Sequence, residues 1–186
     1  MKLDSDRVVA VSAMFIGVCS LFLTVYQTHL TRQAQSASVL PYLAVGITSN
    51  SEGVYVTLRN DGVGPARIED MRVTARGKDH LVDPYDFYLQ TKPSAAKSGA
   101  LAVDRVVPGR LVPAGATIQM LGVGGPEREG MLADLLRLFA LADVPHAWLE
   151  SMNALGTDKA VIVVTYSSVY GDRWRVRSDQ HVPQPF

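Results

Sequence analysis

The chain has 186 residues, 47% of them hydrophobic and 19% charged, with 18 basic side chains against 18 acidic ones. Three of the basic residues (Lys2, Arg7, Arg32) and two of the acidic ones (Asp4, Asp6) precede residue 33, so the remainder is close to neutral. A near-neutral remainder of about 150 residues suits one domain with a sizeable core, and it argues against a nucleic-acid partner, which needs a concentrated basic excess.

Residues 1–7 form a short charged tail. Val8–Tyr26 then carries nineteen residues without a charge, VVAVSAMFIGVCSLFLTVY. As a helix it spans about 29 Å, close to the thickness of a bilayer's hydrocarbon core. The spacing predicts a transmembrane helix held in lipid through residues 8–26. It reads as an uncleaved signal anchor, because a secretory signal has a shorter apolar core with a small-residue site just after it. Here the nearest such run, Ala34-Gln35-Ser36-Ala37, lies beyond Arg32. Ala13 and Gly17 share one helix face at a spacing that allows close helix approach, the expected contact for a homo-oligomer through this helix. Lys2, Arg7 and the α-amino group outweigh Arg32, which predicts the N-terminus inside. In a bacterium that makes a single-pass inner-membrane protein with a periplasmic C-terminal domain. Cys19 is the only cysteine, so beyond the anchor there is no disulfide, Cys-type zinc site or thiol nucleophile.

Residues 27–39 are polar with few breakers and extend the helix as a linker until Pro41. From residue 40 to 186 the pattern turns to strands. Tyr42–Ile47 and Val54–Arg59 flank the turn at Asn50–Gly53, and Val54, Val56 and Leu58 fall on one face. Asn60–Ala66 is dense in turn residues, with Asn60 placed to cap the turn through its side chain. Ile68–Arg76 is strand-like, with Ile68, Met71 and Val73 as its apolar members. Asp83 as N-cap and Pro84 at the first helical position start a short helix over 84–91. Strands are expected at 101–107 and 117–123, and an amphipathic helix at 127–142 from Met131, Leu135, Leu138 and Leu141. Turns at 153–158 and 170–173 bracket Lys159–Tyr166, a β-branched strand expected to be central and covered on both faces. Trp174 and Val176 point inward on the strand after it, and the tail from Pro183 reads as irregular. The whole predicts a mainly β protein: an N-terminal transmembrane helix, then an immunoglobulin-like antiparallel β-sandwich with helical insertions.

Three local signatures carry a resemblance. Asn60-Asp61-Gly62-Val63-Gly64-Pro65-Ala66 looks like an N-x-G-x-G-P-A turn, Leu111-Val112-Pro113-Ala114-Gly115 resembles an L-x-P-x-G turn before a core strand, and YSSVYGDRW at 166–174 looks like a final hairpin. They resemble a group of small, uncharacterised bacterial single-span membrane proteins with an immunoglobulin-like β-sandwich domain. The resemblance implies that anchored fold and transfers no activity or site residue.

No catalytic, cofactor-binding or metal-ligating residue is assigned, and no cofactor is expected. His29, His80, His146 and His181 lack the i, i+4 spacing of a zinc helix. The glycines of GVGP and GVGGP do not open a nucleotide-binding unit. Glu69 and Asp70 are adjacent in a strand-like run, where side chains take opposite faces, which argues against a carboxylate dyad. The expected function is that of a non-enzymatic binding or accessory protein of the bacterial envelope, acting through contact with another membrane or envelope protein. Candidate contact residues are Tyr85, Phe87 and Tyr88 in an aromatic cluster, Leu138 on the amphipathic helix, and Tyr170 and Arg173 in the late hairpin. The alternative is a membrane-anchored hydrolase or transferase whose site gathers dispersed loop residues, its sign being a cleft that collects two or more of His80, Asp83, Asp86, Asp104, His146 and His181.

Overall fold

A computed structural model describes residues 5–51, 53–94, 100–101, 104–124, 128–142, 144 and 159–186. The chain divides into two compact units, Met1–Ser38 and Val39–Phe186. The first is a helix, α1 (Ser5–Ser38), so the polar linker continues the apolar segment without a break. Its stretch Arg7–Gln35 is long and apolar enough to span a membrane, and every residue from 7 to 35 is exposed. Ser12 and Thr24 donate to the carbonyls of Val8 and Ser20, both at 2.8 Å, so these hydroxyls carry no unmet polarity into an apolar segment.

The second unit is built from antiparallel sheets. The strands are β1 (Leu43–Ser49), β2 (Gly53–Asn60), β3 (Ala66–Ala75), β4 (Lys78–His80), β5 (Ala100–Leu101), β6 (Leu111–Val112), β7 (Thr117–Gly124), β8 (Val161–Ser167), β9 (Arg173–Arg177) and β10 (Gln184–Pro185). One sheet has the order β1-β2-β7-β5, and the other β10-β9-β8-β3-β4 with β6 also paired to β3. Among the described residues two helices lie between strands in the chain, α2 (Pro84–Thr91) and α3 (Arg128–Leu138).

Alternation supplies the core. Val54, Val56 and Leu58 are fully buried and face the same way as their partners Val45, Ile47, Ile118, Leu121 and Val123. From the other sheet Ile68, Met71, Val73, Ile162, Val164, Tyr166 and Val176 enter the same hydrophobic cluster. β8 lies inside its sheet and is buried along both faces from Ile162 onward, as its β-branched run predicts. Trp174 is half-buried and stacks on Tyr166 with ring centres 5.8 Å apart. The helix at 84–91 forms as expected: Asp83 accepts from the Asp86 amide at 2.8 Å and Pro84 opens the first turn.

The Gly-rich turn after β2 is a junction. The Asn60 side chain is fully buried. Its Oδ1 accepts from the amides of Tyr42 (3.2 Å) and Gly62 (3.1 Å). Its Nδ2 donates to the carbonyls of Gly64 (2.8 Å), Val112 (3.0 Å) and Pro113 (3.2 Å). One amide thus ties the start of β1, the turn itself and the Pro113-Ala114-Gly115 turn. Gly64 is required by close approach, because a Cβ there would lie 1.9 Å from the Val39 carbonyl oxygen.

Several expectations need correction. The strand expected at 101–107 is limited to Ala100–Leu101 among the described residues; Asp104 and Arg105 leave it for ion pairs, and Val106 for the core. The amphipathic helix ends at Leu138 rather than residue 142, because the Ala140 amide bonds the Ala160 carbonyl (2.8 Å) and the Ala160 amide bonds that of Leu138 (2.7 Å). The tail is not wholly irregular, since β10 pairs with β9. His146 and the turn at 153–158 lie outside the described residues, as does the side chain of Met131.

Candidate functional site

The strand period decides what the outer face of the second sheet displays. On β8, Ile162, Val164 and Tyr166 point inward and Val163, Thr165 and Ser167 outward; on β9, Trp174 and Val176 point inward and Arg173, Arg175 and Arg177 outward. On β3 a bulge between Ile68 and Asp70 shifts the register, so that Ile68 opposes Tyr166 and Asp70 opposes Thr165. The extra residue is Glu69. This overturns the expectation that Glu69 and Asp70 take opposite faces: Glu69 reaches Arg173 (3.2 Å) and Asp70 reaches Arg72 (3.6 Å), all on the outer face. The two carboxylates are engaged by different arginines and form no dyad.

The result is two columns of arginine, Arg67 and Arg72 on β3 and Arg173, Arg175 and Arg177 on β9, either side of the small side chains of β8. Most of this charge is answered within the chain. Arg72 also meets Asp79 (3.4 Å), Arg177 makes two bonds of 2.9 Å to Asp179, and Arg175 lies 4.1 Å from the ring centre of Phe186. At the end nearest the β8–β9 turn the balance changes. Leu111, Arg67, Ser167 and Arg173 are successive cross-strand partners on β6, β3, β8 and β9. Arg67 is exposed and forms no ion pair with a described carboxylate. An open groove of about 600 Å³ runs over this row, with Leu111 and Val169 at its rim, 59% and 60% exposed. The turn is firm: Ser168 Oγ accepts from the amides of Tyr170 (3.1 Å) and Asp172 (3.3 Å), and Gly171 takes a φ of 91° that suits only glycine.

Of the expected contact residues, Tyr170 and Arg173 lie at this corner and are exposed. Phe87 and Tyr88 are not surface residues. They are 7% and 1% exposed, because α2 turns this side into the core. Burial, with the Asp134 carboxylate second, pushes the Tyr88 phenol above its ordinary pKa. Tyr85 and Leu138 are half-buried and pack against the same cluster, and Leu135, Leu136 and Phe139 bury the apolar face of α3 and its end. A Lys92–Asp134 ion pair links α2 to α3.

Of the described residues named for the enzymatic alternative, Asp83 and Asp86 come together, on one arginine. Arg105 bridges Asp86 (3.1 Å) and Asp83 (3.6 Å). Asp104 makes two bonds of 2.6 Å to Arg110, which hold its carboxyl below the usual range. The His80 ring packs edge-on to Phe87 at 5.2 Å. Among the described residues no three His, Cys, Asp or Glu side chains are placed to hold a metal ion. Sequence reasoning missed Arg67 and Leu111, which only the strand register brings beside Arg173. The outward arginine column was legible, since Arg173, Arg175 and Arg177 alternate in the sequence. No known protein family matches this chain, and no curated protein matches it in sequence.

Proposed function

We propose that this chain is a membrane-anchored, non-enzymatic binding or accessory protein of the bacterial envelope, acting through contact with a membrane or envelope protein. In this reading α1 is a retained inner-membrane anchor, Val39–Phe186 is an immunoglobulin-like β-sandwich in the periplasm, and copies associate through the Ala13–Gly17 face of the helix. The observation that carries it is the pairing of a lipid-compatible helix, exposed along 7–35, with a domain whose exposed Leu111 and Val169 line an arginine-framed groove, with exposed Tyr170 on the adjoining turn. Exposed apolar residues grouped beside arginine are typical of contact surfaces. The hydrolase or transferase alternative draws no support from Asp83, Asp86 and Asp104, each held by an arginine.

Two measurements test this. A periplasm-active reporter fused after Phe186 should be active and a cytoplasm-active one silent; the reverse pattern would place the domain inside the cell. A photoreactive residue at Tyr170 should give a discrete adduct in living cells. No adduct, together with turnover of a defined substrate abolished at one Asp or His, would refute the reading in favour of an enzyme.

A further inference from the structure

We infer that the groove over Leu111, Arg67, Ser167 and Arg173 binds an acidic peptide segment of a protein partner, with a side-chain carboxylate seated between Arg67 and Arg173. This deepens the contact reading above and rests on it.

Arg67 and Arg173 are partners of the same residue, Ser167, from opposite sides. Two strand spacings therefore separate their backbones, about 10 Å, which brings two long guanidinium arms within reach of one oxyanion above Ser167. Ser167 is nearly buried and small, so it forms a floor rather than an obstruction. A guanidinium fork matches a carboxylate in plane and spacing.

Charge points the same way. The chain is neutral overall, yet among the described residues lining this groove the only carboxylate is Glu69, which takes Arg173 at 3.2 Å and leaves Arg67 without a described carboxylate. Glu69 is thus a resident example of the group the site accepts, and a competitor for it. Its presence here follows from the bulge; a regular strand would turn it to the other face.

Size selects a peptide. The row crosses four strands, about 15 Å, the length of four or five extended residues. A lone phosphate or lipid headgroup fills only its centre. Leu111 and Val169 at the rim offer apolar contact to residues flanking the acid.

The test uses the full chain in phosphatidylcholine nanodiscs and two fluorescein-labelled peptides, Gly-Leu-Glu-Asp-Leu-Gly and its amide counterpart Gly-Leu-Gln-Asn-Leu-Gly, read by anisotropy. The acidic peptide should bind at least about tenfold more tightly than the amide one. Arg67→Ala should weaken it about tenfold, and Arg67→Lys, which keeps charge but loses the fork, by less. Glu69→Gln should tighten it about two- to threefold by removing the competitor. Lys78→Ala, on exposed β4, should change nothing. Equal binding of both peptides, indifference to Arg67→Ala, or weaker binding by Glu69→Gln overturns the inference. So does binding of phosphatidylglycerol nanodiscs or inorganic phosphate with no peptide response. If the peptides fail while Tyr170 still gives a cellular adduct, the groove assignment falls and the contact reading stands; failure of the peptides, with no adduct at Tyr170 and turnover of a defined substrate abolished at one Asp or His, overturns both.

Discussion

Replacing Asn60 tests the idea that one buried amide joins three segments of the domain. Asn60→Ala removes two hydrogen bonds accepted from the Tyr42 and Gly62 amides and the two amide hydrogens shared among the Gly64, Val112 and Pro113 carbonyls. The Gly64 and Val112 bonds are buried and the others partly buried. Each buried carbonyl left without a donor costs about 1–3 kcal/mol, and the half-wet groups less. The sum is roughly 3–5 kcal/mol, a large share of the 5–15 kcal/mol typical of a domain. With a urea m-value of about 2 kcal/mol/M, the unfolding midpoint of the full chain in nanodiscs, followed by tryptophan fluorescence, should fall by about 2 M. Asn60→Asp separates hydrogen bonding from shape. It keeps Oδ1 but turns an anionic oxygen toward three carbonyls in a buried site. Near pH 7 it should be less stable than Asn60→Ala, because an unpaired buried charge costs more than a small void. A midpoint change below about 0.5 M for Asn60→Ala, or an Asn60→Asp chain more stable than it, would refute the reasoning.

Three further outcomes follow from the same geometry. Gly64→Ala forces a Cβ to within 1.9 Å of the Val39 carbonyl oxygen and should cost at least about 2–3 kcal/mol; Gly77→Ala, in open space at a φ of 73°, should cost only about 1 kcal/mol, and equal midpoints would show that close approach is not what Gly64 serves. Tyr166 is fully buried and desolvation pushes its pKa from 10.0 to about 12. The unfolded chain therefore loses this proton before the folded one does, so stability present below about pH 10 should fall by roughly 2–3 kcal/mol as pH rises toward 12. Tyr88 shifts the same way, while Lys159, lowered by burial, opposes it only up to its free value of 10.5; Tyr166→Phe should flatten most of the slope, and an unchanged slope in urea melts would dismiss the assignment. Phe15→Arg, in the middle of the apolar segment, should cost about 2.5–3.5 kcal/mol of insertion, seen as loss of the chain from carbonate-washed membranes.

What the sequence could disclose depended on whether a signal was local or made by pairing. Val54, Val56 and Leu58 alternate cleanly, and all three are core; Asp83-Pro84 caps a helix because both cap contacts are made within one turn. Ile68 and Met71 are three apart, an odd step that alternation cannot produce, and the bulge at Glu69 is its physical reason. That phase break was visible, and read as a bulge it would have placed Glu69 beside the arginines instead of opposite them. The two-residue strands β6 and β10 had no local signal, since each exists only through partners on β3 and β9. Phe87 and Tyr88 misled for a related reason: an aromatic cluster on an eight-residue helix has the same composition whether it faces solvent or core, and only the packing of α2 decides. The groove combines both cases. Arg173 could be singled out as a hairpin arginine, and the alternation of Arg173, Arg175 and Arg177 set their face. Arg67 lies 106 residues before Arg173 in the chain and Leu111 62 residues before it, and the register of β3 between β6 and β8 alone sets them in one row with Ser167. A contact site of this kind is a property of strand order, so its residues become functional together or not at all, and substitutions at Arg67 and Arg173 should prove non-additive where those at Arg67 and Lys78 add.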